Sequence, residues 1–148
     1  MQFPSRSLTI LCVDDEAVSL LVRKILLERA GYAVLSATNP ADALAIFSCS
    51  EINLVISDQL LPGLTGTDLA HEMKLTKPDI PFLLLSGVVE PPDGTEYTDR
   101  FLEKTQGPEK LLQTVAELLR YEGFGLMAES TGPRSPATQL PVRPSGIT

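Results

Sequence analysis

After a short lead the chain runs Leu8-Thr9-Ile10-Leu11-Cys12-Val13, apolar at nearly every position, and stops at Asp14-Asp15. A strand with one wet face alternates apolar and polar residues; this run scarcely alternates, so it predicts a strand buried on both faces of a parallel sheet. From Ala17 to Ala30 the period changes. Leu20, Leu21, Ile25 and Leu27 recur with charged residues between them, and Gly31 stands where a helix C-terminus favours glycine. A second strand is expected over Tyr32 to Ala37. Thr38-Asn39-Pro40 then supplies a cap and an opening proline for a helix from Ala41 to Phe47.

The rhythm repeats. Ile52-Asn53-Leu54-Val55-Ile56-Ser57 predicts a third strand ending at Asp58, the loop Leu61-Pro62-Gly63-Leu64-Thr65-Gly66 follows, and Thr67 to Leu75 predicts a helix. Pro81-Phe82-Leu83-Leu84-Leu85-Ser86 is the fourth strand. Beyond Gly87, Pro91, Pro92 and Gly94 oppose a regular helix, so the fourth helix is expected to be short or missing. Arg100-Phe101-Leu102 makes a fifth strand that ends near Lys104. Pro108 opens a last amphipathic helix through Leu111, Leu112, Val115, Leu118 and Leu119. Strands alternating with helices at this spacing predict an α/β fold with right-handed crossovers and helices on both faces of a parallel sheet. For five strands the flavodoxin-like, doubly wound order 2-1-3-4-5 fits. Pro133, Pro136, Pro141 and Pro144 lie among Ser, Thr and Gly, so a folded domain over residues 1–122 and a flexible tail over 123–148 are expected.

At 148 residues the chain is the size of one domain with one core. Its net charge of −7 lacks the basic surface that a polyanion needs, which argues against direct nucleic-acid binding. Cys12 and Cys49 each sit in an apolar run and are expected as small buried hydrophobes, in keeping with a reducing cytoplasm. No apolar run reaches the roughly 18 residues of a membrane helix. The N-terminus lacks the regions of a signal peptide, so a cytoplasmic location without membrane attachment is expected.

The chemistry gathers at one edge. In an open α/β sheet the ligand crevice lies outside the carboxyl ends of the strands, where the order reverses. Strand one delivers Asp14 and Asp15 there, and strand three, its neighbour, delivers Asp58. Alone, each is a solvated loop residue or a helix cap. Together they repel one another unless a cation relieves them, and oxygen ligands in a half-open crevice suit Mg²⁺. Ser86 closes strand four and Lys104 closes strand five. Singly they are a turn residue and a surface charge; beside the carboxylates they offer a hydroxyl and an ammonium to a phosphoryl group. Phe101, taken alone, is a core aromatic.

These residues resemble the receiver domain of response regulators in two-component signal transduction, from about Leu8 to Arg120. The resemblance implies that Asp58 is the phosphoacceptor, that Asp15 meets a Mg²⁺ cofactor directly, and that Asp14 acts through water. The loop Asp58-Gln59-Leu60-Leu61-Pro62-Gly63-Leu64-Thr65-Gly66 is similar to the family's, which implies that the Leu60 backbone carbonyl is a further metal ligand. Ser86 and Lys104 take the hydroxyl and lysine positions, and Ser86 with Phe101 the switch positions. No other cofactor is implied.

The implied reaction transfers a phosphoryl group from a histidine kinase or phosphotransfer protein to Asp58, with slow self-hydrolysis, so the domain is not an enzyme in a wider sense. Nothing after the last helix resembles a DNA-binding or catalytic domain, so a stand-alone receiver is expected to speak to a protein effector or to a second copy through the face of strand five and the last helix. Thr105 follows Lys104 where the family has proline.

Three rival readings differ at named residues. A haloacid-dehalogenase-type phosphatase needs Asp-x-Asp after strand one, where Asp14-Asp15-Glu16 stands. A nucleotide-binding fold needs a glycine-rich phosphate loop at the same point. A phosphorylation-independent scaffold or dimerisation module would be expected to have lost a member of the site, and all are present.

Overall fold

The computed structural model describes residues 7–88 and 91–123, the side chains of 121–123 excepted. Five strands, β1 (Thr9–Val13), β2 (Ala33–Ala37), β3 (Leu54–Asp58), β4 (Phe82–Ser86) and β5 (Arg100–Glu103), form one parallel sheet in the order β2-β1-β3-β4-β5. Four helices, α1 (Ala17–Arg29), α2 (Pro40–Cys49), α3 (Gly66–Thr76) and α4 (Pro108–Gly123), cover its two faces. The flavodoxin-like expectation therefore holds, including the reversal of order between β1 and β3.

Every residue of β3 and β4 is buried, which is why neither run alternates in the sequence. Successive side chains nevertheless point to opposite cores. Ile10, Cys12, Leu54, Ile56, Leu83 and Leu85 face α1 and α4, with Leu20, Leu27, Val115 and Leu119. Leu11, Val13, Val55, Phe82 and Leu84 face α2 and α3, with Phe47, Leu69 and Met73.

Two details of the burial pattern depart from expectation. On α1 the buried positions are Leu20, Arg23 and Leu27, whereas Leu21 and Ile25 are exposed. Positions 20, 23 and 27 are spaced by three and four and share a stripe; 21 and 25 are turned off it by 100° per residue. Cys12 is buried, but Cys49 is exposed in the last turn of α2, where its Sγ lies 3.0 Å from the Ala45 carbonyl.

The helix starts follow their capping residues. Asn39 Oδ1 accepts from the Asp42 amide at 2.8 Å at the start of α2, and Thr65 with Asp68 forms a capping box at α3. Between β4 and β5 the described residues hold a single 3-10 turn, Thr95–Tyr97, in place of a helix. This segment leans on α3: the Tyr97 and His71 rings stack at 4.2 Å. Asp99 Oδ2 accepts from Lys74 Nζ and from the Phe82 amide, both at 2.7 Å. After β5 a second 3-10 turn, Lys104–Gln106, leads to Gly107 at φ 92° and into α4. Residues 124–148 of the expected tail lie outside the described residues. No helix among the described residues is long and apolar enough to cross a membrane.

Candidate functional site

The carboxyl edge of the sheet brings Asp14, Asp15 and Asp58 together. Each offers a carboxylate oxygen, and these oxygens lie within 4.8 Å of one another. Asp14 is 1% exposed. Its Oδ1 accepts from the Glu16 amide at 2.9 Å, which anchors the entry to α1. Its Oδ2 faces two cations, Arg23 Nη1 at 3.4 Å and Lys104 Nζ at 3.7 Å. Asp15 is exposed.

Asp58 is buried at the end of β3; Oδ1 accepts from the Gln59 amide at 2.9 Å, and Oδ2 lies 3.3 Å from Lys104 Nζ. Burial pushes its carboxyl above the ordinary aspartate range, Lys104 pulls it back, and the charge of Asp14 pushes it up again. The crevice thus holds three carboxylates with oxygens within 4.8 Å of one another, and two cations that reach Asp14, one of them also Asp58.

Ser86 ends β4 and is buried, with its Oγ accepting from the Val88 amide at 3.3 Å. It pairs in register with Glu103, the residue before Lys104. Phe101 pairs with Leu84 and is half-buried against the core under α2 and α3. The Leu60 side chain is 75% exposed at the mouth, and among the described residues its carbonyl oxygen accepts no hydrogen bond.

The turn after Asp58 has a tight fit. The Gly66 amide donates to the Gln59 carbonyl at 2.8 Å. A Cβ on Gly66 would overlap the Asp58 carbonyl oxygen and come 2.7 Å from Leu84 Cδ1, so a side chain there would push α3 away from the acceptor. Gln59 adds a clamp: its Oε1 accepts from the Thr67 amide at 3.0 Å in the first turn of α3.

Sequence reasoning singled out neither Gln59 nor Arg23. For Gln59 no local signal exists, because its partner lies across the loop. For Arg23 there was one: a charge on the stripe shared by Leu20 and Leu27 must find an anion when that stripe is buried.

A doubly wound sheet whose reversal point carries three aspartates, a lysine and a buried serine hydroxyl defines an α/β domain with an acidic, lysine-capped crevice. The chain belongs to the response regulator receiver domain family, whose model matches residues 10–116. Among curated proteins it is similar to the phosphate regulon transcriptional regulatory protein PhoB of Pseudomonas aeruginosa. The two are 34% identical over 123 residues, which is 79% of this chain and 54% of PhoB. The chain spans about half the length of the curated relatives it matches.

Among solved structures, it is similar to the response regulator TrrA of Thermotoga maritima in complex with Mg²⁺-BeF, at 30% identity and a TM-score of 0.72 over 76% of this chain and 99% of that one. TrrA in complex with the histidine kinase ThkA gives a TM-score of 0.71 at 30% identity over 76% and 98% of the two chains.

Proposed function

We propose that this receiver domain accepts a phosphoryl group on Asp58 from a histidine kinase or phosphotransfer protein, with Mg²⁺ bound at the acidic cluster, and that the modification changes a protein-interaction face. The observation that carries the reading is the convergence of Asp58, Lys104 and the two other aspartates at one strand edge, with Lys104 touching the acceptor at 3.3 Å. The residues suit the ion. Three carboxylate oxygens within 4.8 Å, one from an exposed Asp15, form a hard, half-open oxygen site of the kind Mg²⁺ takes with waters and phosphate oxygens. Asp15 and Asp58 would hold it directly with the Leu60 carbonyl, and Asp14 through water. When bound, the ion would neutralise charge on the transferring oxygens.

The chain's own groups would do the rest. The Asp58 carboxylate attacks phosphorus in line; the P–N bond of phosphohistidine breaks, and its electron pair leaves with the imidazole. Lys104 stabilises the charge on an equatorial oxygen. Ser86 Oγ, now held by the Val88 amide, turns to donate to a phosphoryl oxygen. Phe101, half-buried on the neighbouring strand, follows into the space that Ser86 leaves and alters the face of β5 and α4, where an effector or a second copy would bind. Water then hydrolyses the acyl phosphate slowly. The receiver body spans residues 1–122, works in the cytoplasm and is not an enzyme beyond these self-catalysed steps.

Intact mass after incubation with Mg²⁺ and acetyl phosphate tests the reading. A gain of one phosphoryl group, about 80 Da, that needs Mg²⁺ and disappears in Asp58→Ala is the expected result. Lack of any gain from acetyl phosphate and from a kinase donor alike would favour a phosphorylation-independent scaffold.

A further inference from the structure

Arg23 is 9% exposed and sits on the inner stripe of α1 between Leu20 and Leu27. A guanidinium taken out of water incurs a large desolvation penalty unless an anion compensates it. Its anion is Asp14: Arg23 Nη1 lies 3.4 Å from Oδ2, on a carboxylate that is itself 1% exposed. Lys104 Nζ reaches the same oxygen at 3.7 Å but lies closer, at 3.3 Å, to Asp58.

The two cations therefore have different positions. Lys104 bridges Asp14 and the acceptor, whereas among the described residues Arg23 forms its ion pair with Asp14 only, from the side of α1. With both in place, the three carboxylates carry one net negative charge; without Arg23 they would carry two.

We propose that Arg23 is an internal counter-ion of the acidic cluster, a positioning residue that holds Asp14 toward α1 and lowers the affinity of the cluster for Mg²⁺. The inference rests on the reading of that cluster as a Mg²⁺ site. A fixed cation beside a ligand repels a second one, and burial keeps salt and water from screening the effect. The Arg23–Asp14 contact is a single, long hydrogen bond rather than a two-pronged fork, so its influence lies mainly in charge rather than in fork geometry. A lysine at this position would preserve that influence, and a methionine of similar bulk would remove it.

The test is the rise of Tm with Mg²⁺ concentration at constant ionic strength, measured on the full chain as wild type, Arg23→Met and Arg23→Lys. Ligand binding to the native state raises stability according to the ratio of free ligand to Kd, so the series yields Kd without any assay of phosphorylation. The expected result is about tenfold tighter Mg²⁺ binding in Arg23→Met, with Arg23→Lys within about twofold of wild type.

A purely structural role predicts a lower Tm without Mg²⁺ and an unchanged Kd, and that outcome overturns the proposal. Should Arg23→Met fail to fold, Arg23→Gln removes the charge while keeping polar atoms, and the same comparison decides. Binding in Arg23→Met with none measurable in wild type would support the proposal. Binding in neither would bring down the metal reading and the proposal with it, whereas binding of equal strength in both would sink the proposal alone.

Discussion

The ammonium of Lys104 stands 3.3 Å from Oδ2 of Asp58, although one follows the edge strand β5 and the other ends the central strand β3. The ammonium offsets part of the effect of burying the acceptor carboxylate. It also lies where charge would develop on a transferring phosphoryl group. Lys104→Met should therefore slow the phosphoryl gain from acetyl phosphate about a hundredfold, the scale of losing one preorganised transition-state donor. Intact-mass time courses check this, with far-UV circular dichroism to show that the fold remains. A wild-type rate in the variant would remove Lys104 from the chemistry.

The raised pKa of Asp58 makes stability depend on pH. Its ordinary value is 3.8, and burial lifts the folded-state value above it. The native state then holds the proton more tightly than the unfolded chain, so ionised Asp58 costs stability above its folded pKa, and the cost is absent below about 3.8, where both states are protonated. Without Mg²⁺, Asp58→Asn should raise Tm at pH 7 by a few degrees, and the gain should shrink as pH falls through the folded value toward the unfolded one. Melting curves of both proteins across that range, in a metal chelator, decide it. A loss of Tm at pH 7 would mean that the contact with Lys104 outweighs burial.

The parts of the site that the sequence reveals are those at boundaries. Asp14, Asp58, Ser86 and Lys104 each stand where an apolar run stops, so strand order alone carries them to one edge. The proline-rich gap before β5 is likewise legible in the sequence as a helix breaker. Contacts across the fold leave no such mark. The stacking of His71 on Tyr97 and the bonds of Asp99 to Lys74 and Phe82 join segments with no shared periodicity. Leu21 and Ile25 are as apolar as Leu20 and Leu27, yet helix geometry gives the inner stripe to Arg23, whose burial the nearby Asp14 compensates.

Gly66 tests how closely α3 must approach the acceptor. A Cβ there meets the Asp58 carbonyl oxygen and, at 2.7 Å, Leu84 Cδ1, both held by the sheet. Gly66→Ala gains helix propensity but forces α3 outward, and overpacking of this kind costs about 1–3 kcal/mol. Urea denaturation should show a net loss near the middle of that range, together with slower phosphorylation, because the turn that presents Asp58 moves. Stabilisation in the variant would show that the helix yields freely.

The exposed face of α1 bears on the choice of partner. Val18, Leu21, Val22 and Ile25 are all exposed, spaced by three and four along one side of the helix that begins directly after Asp14-Asp15. A contiguous apolar patch beside a reactive site is a feature of surfaces that bind another protein. If Asp58 is charged as proposed, a phosphohistidine protein would have to bring its imidazole to it past the start of α1, which begins directly after Asp14-Asp15-Glu16; acetyl phosphate needs no such surface. Leu21→Asp should accordingly leave charging by acetyl phosphate at the wild-type rate and slow transfer from a histidine kinase that charges the wild type by about tenfold or more, the scale of a buried interface residue. Leu21 is exposed and lies outside the buried stripe of α1, so the variant should keep its fold. Equal slowing with both donors would place the effect in the site rather than at the interface, and no slowing with the kinase would move the docking surface away from α1.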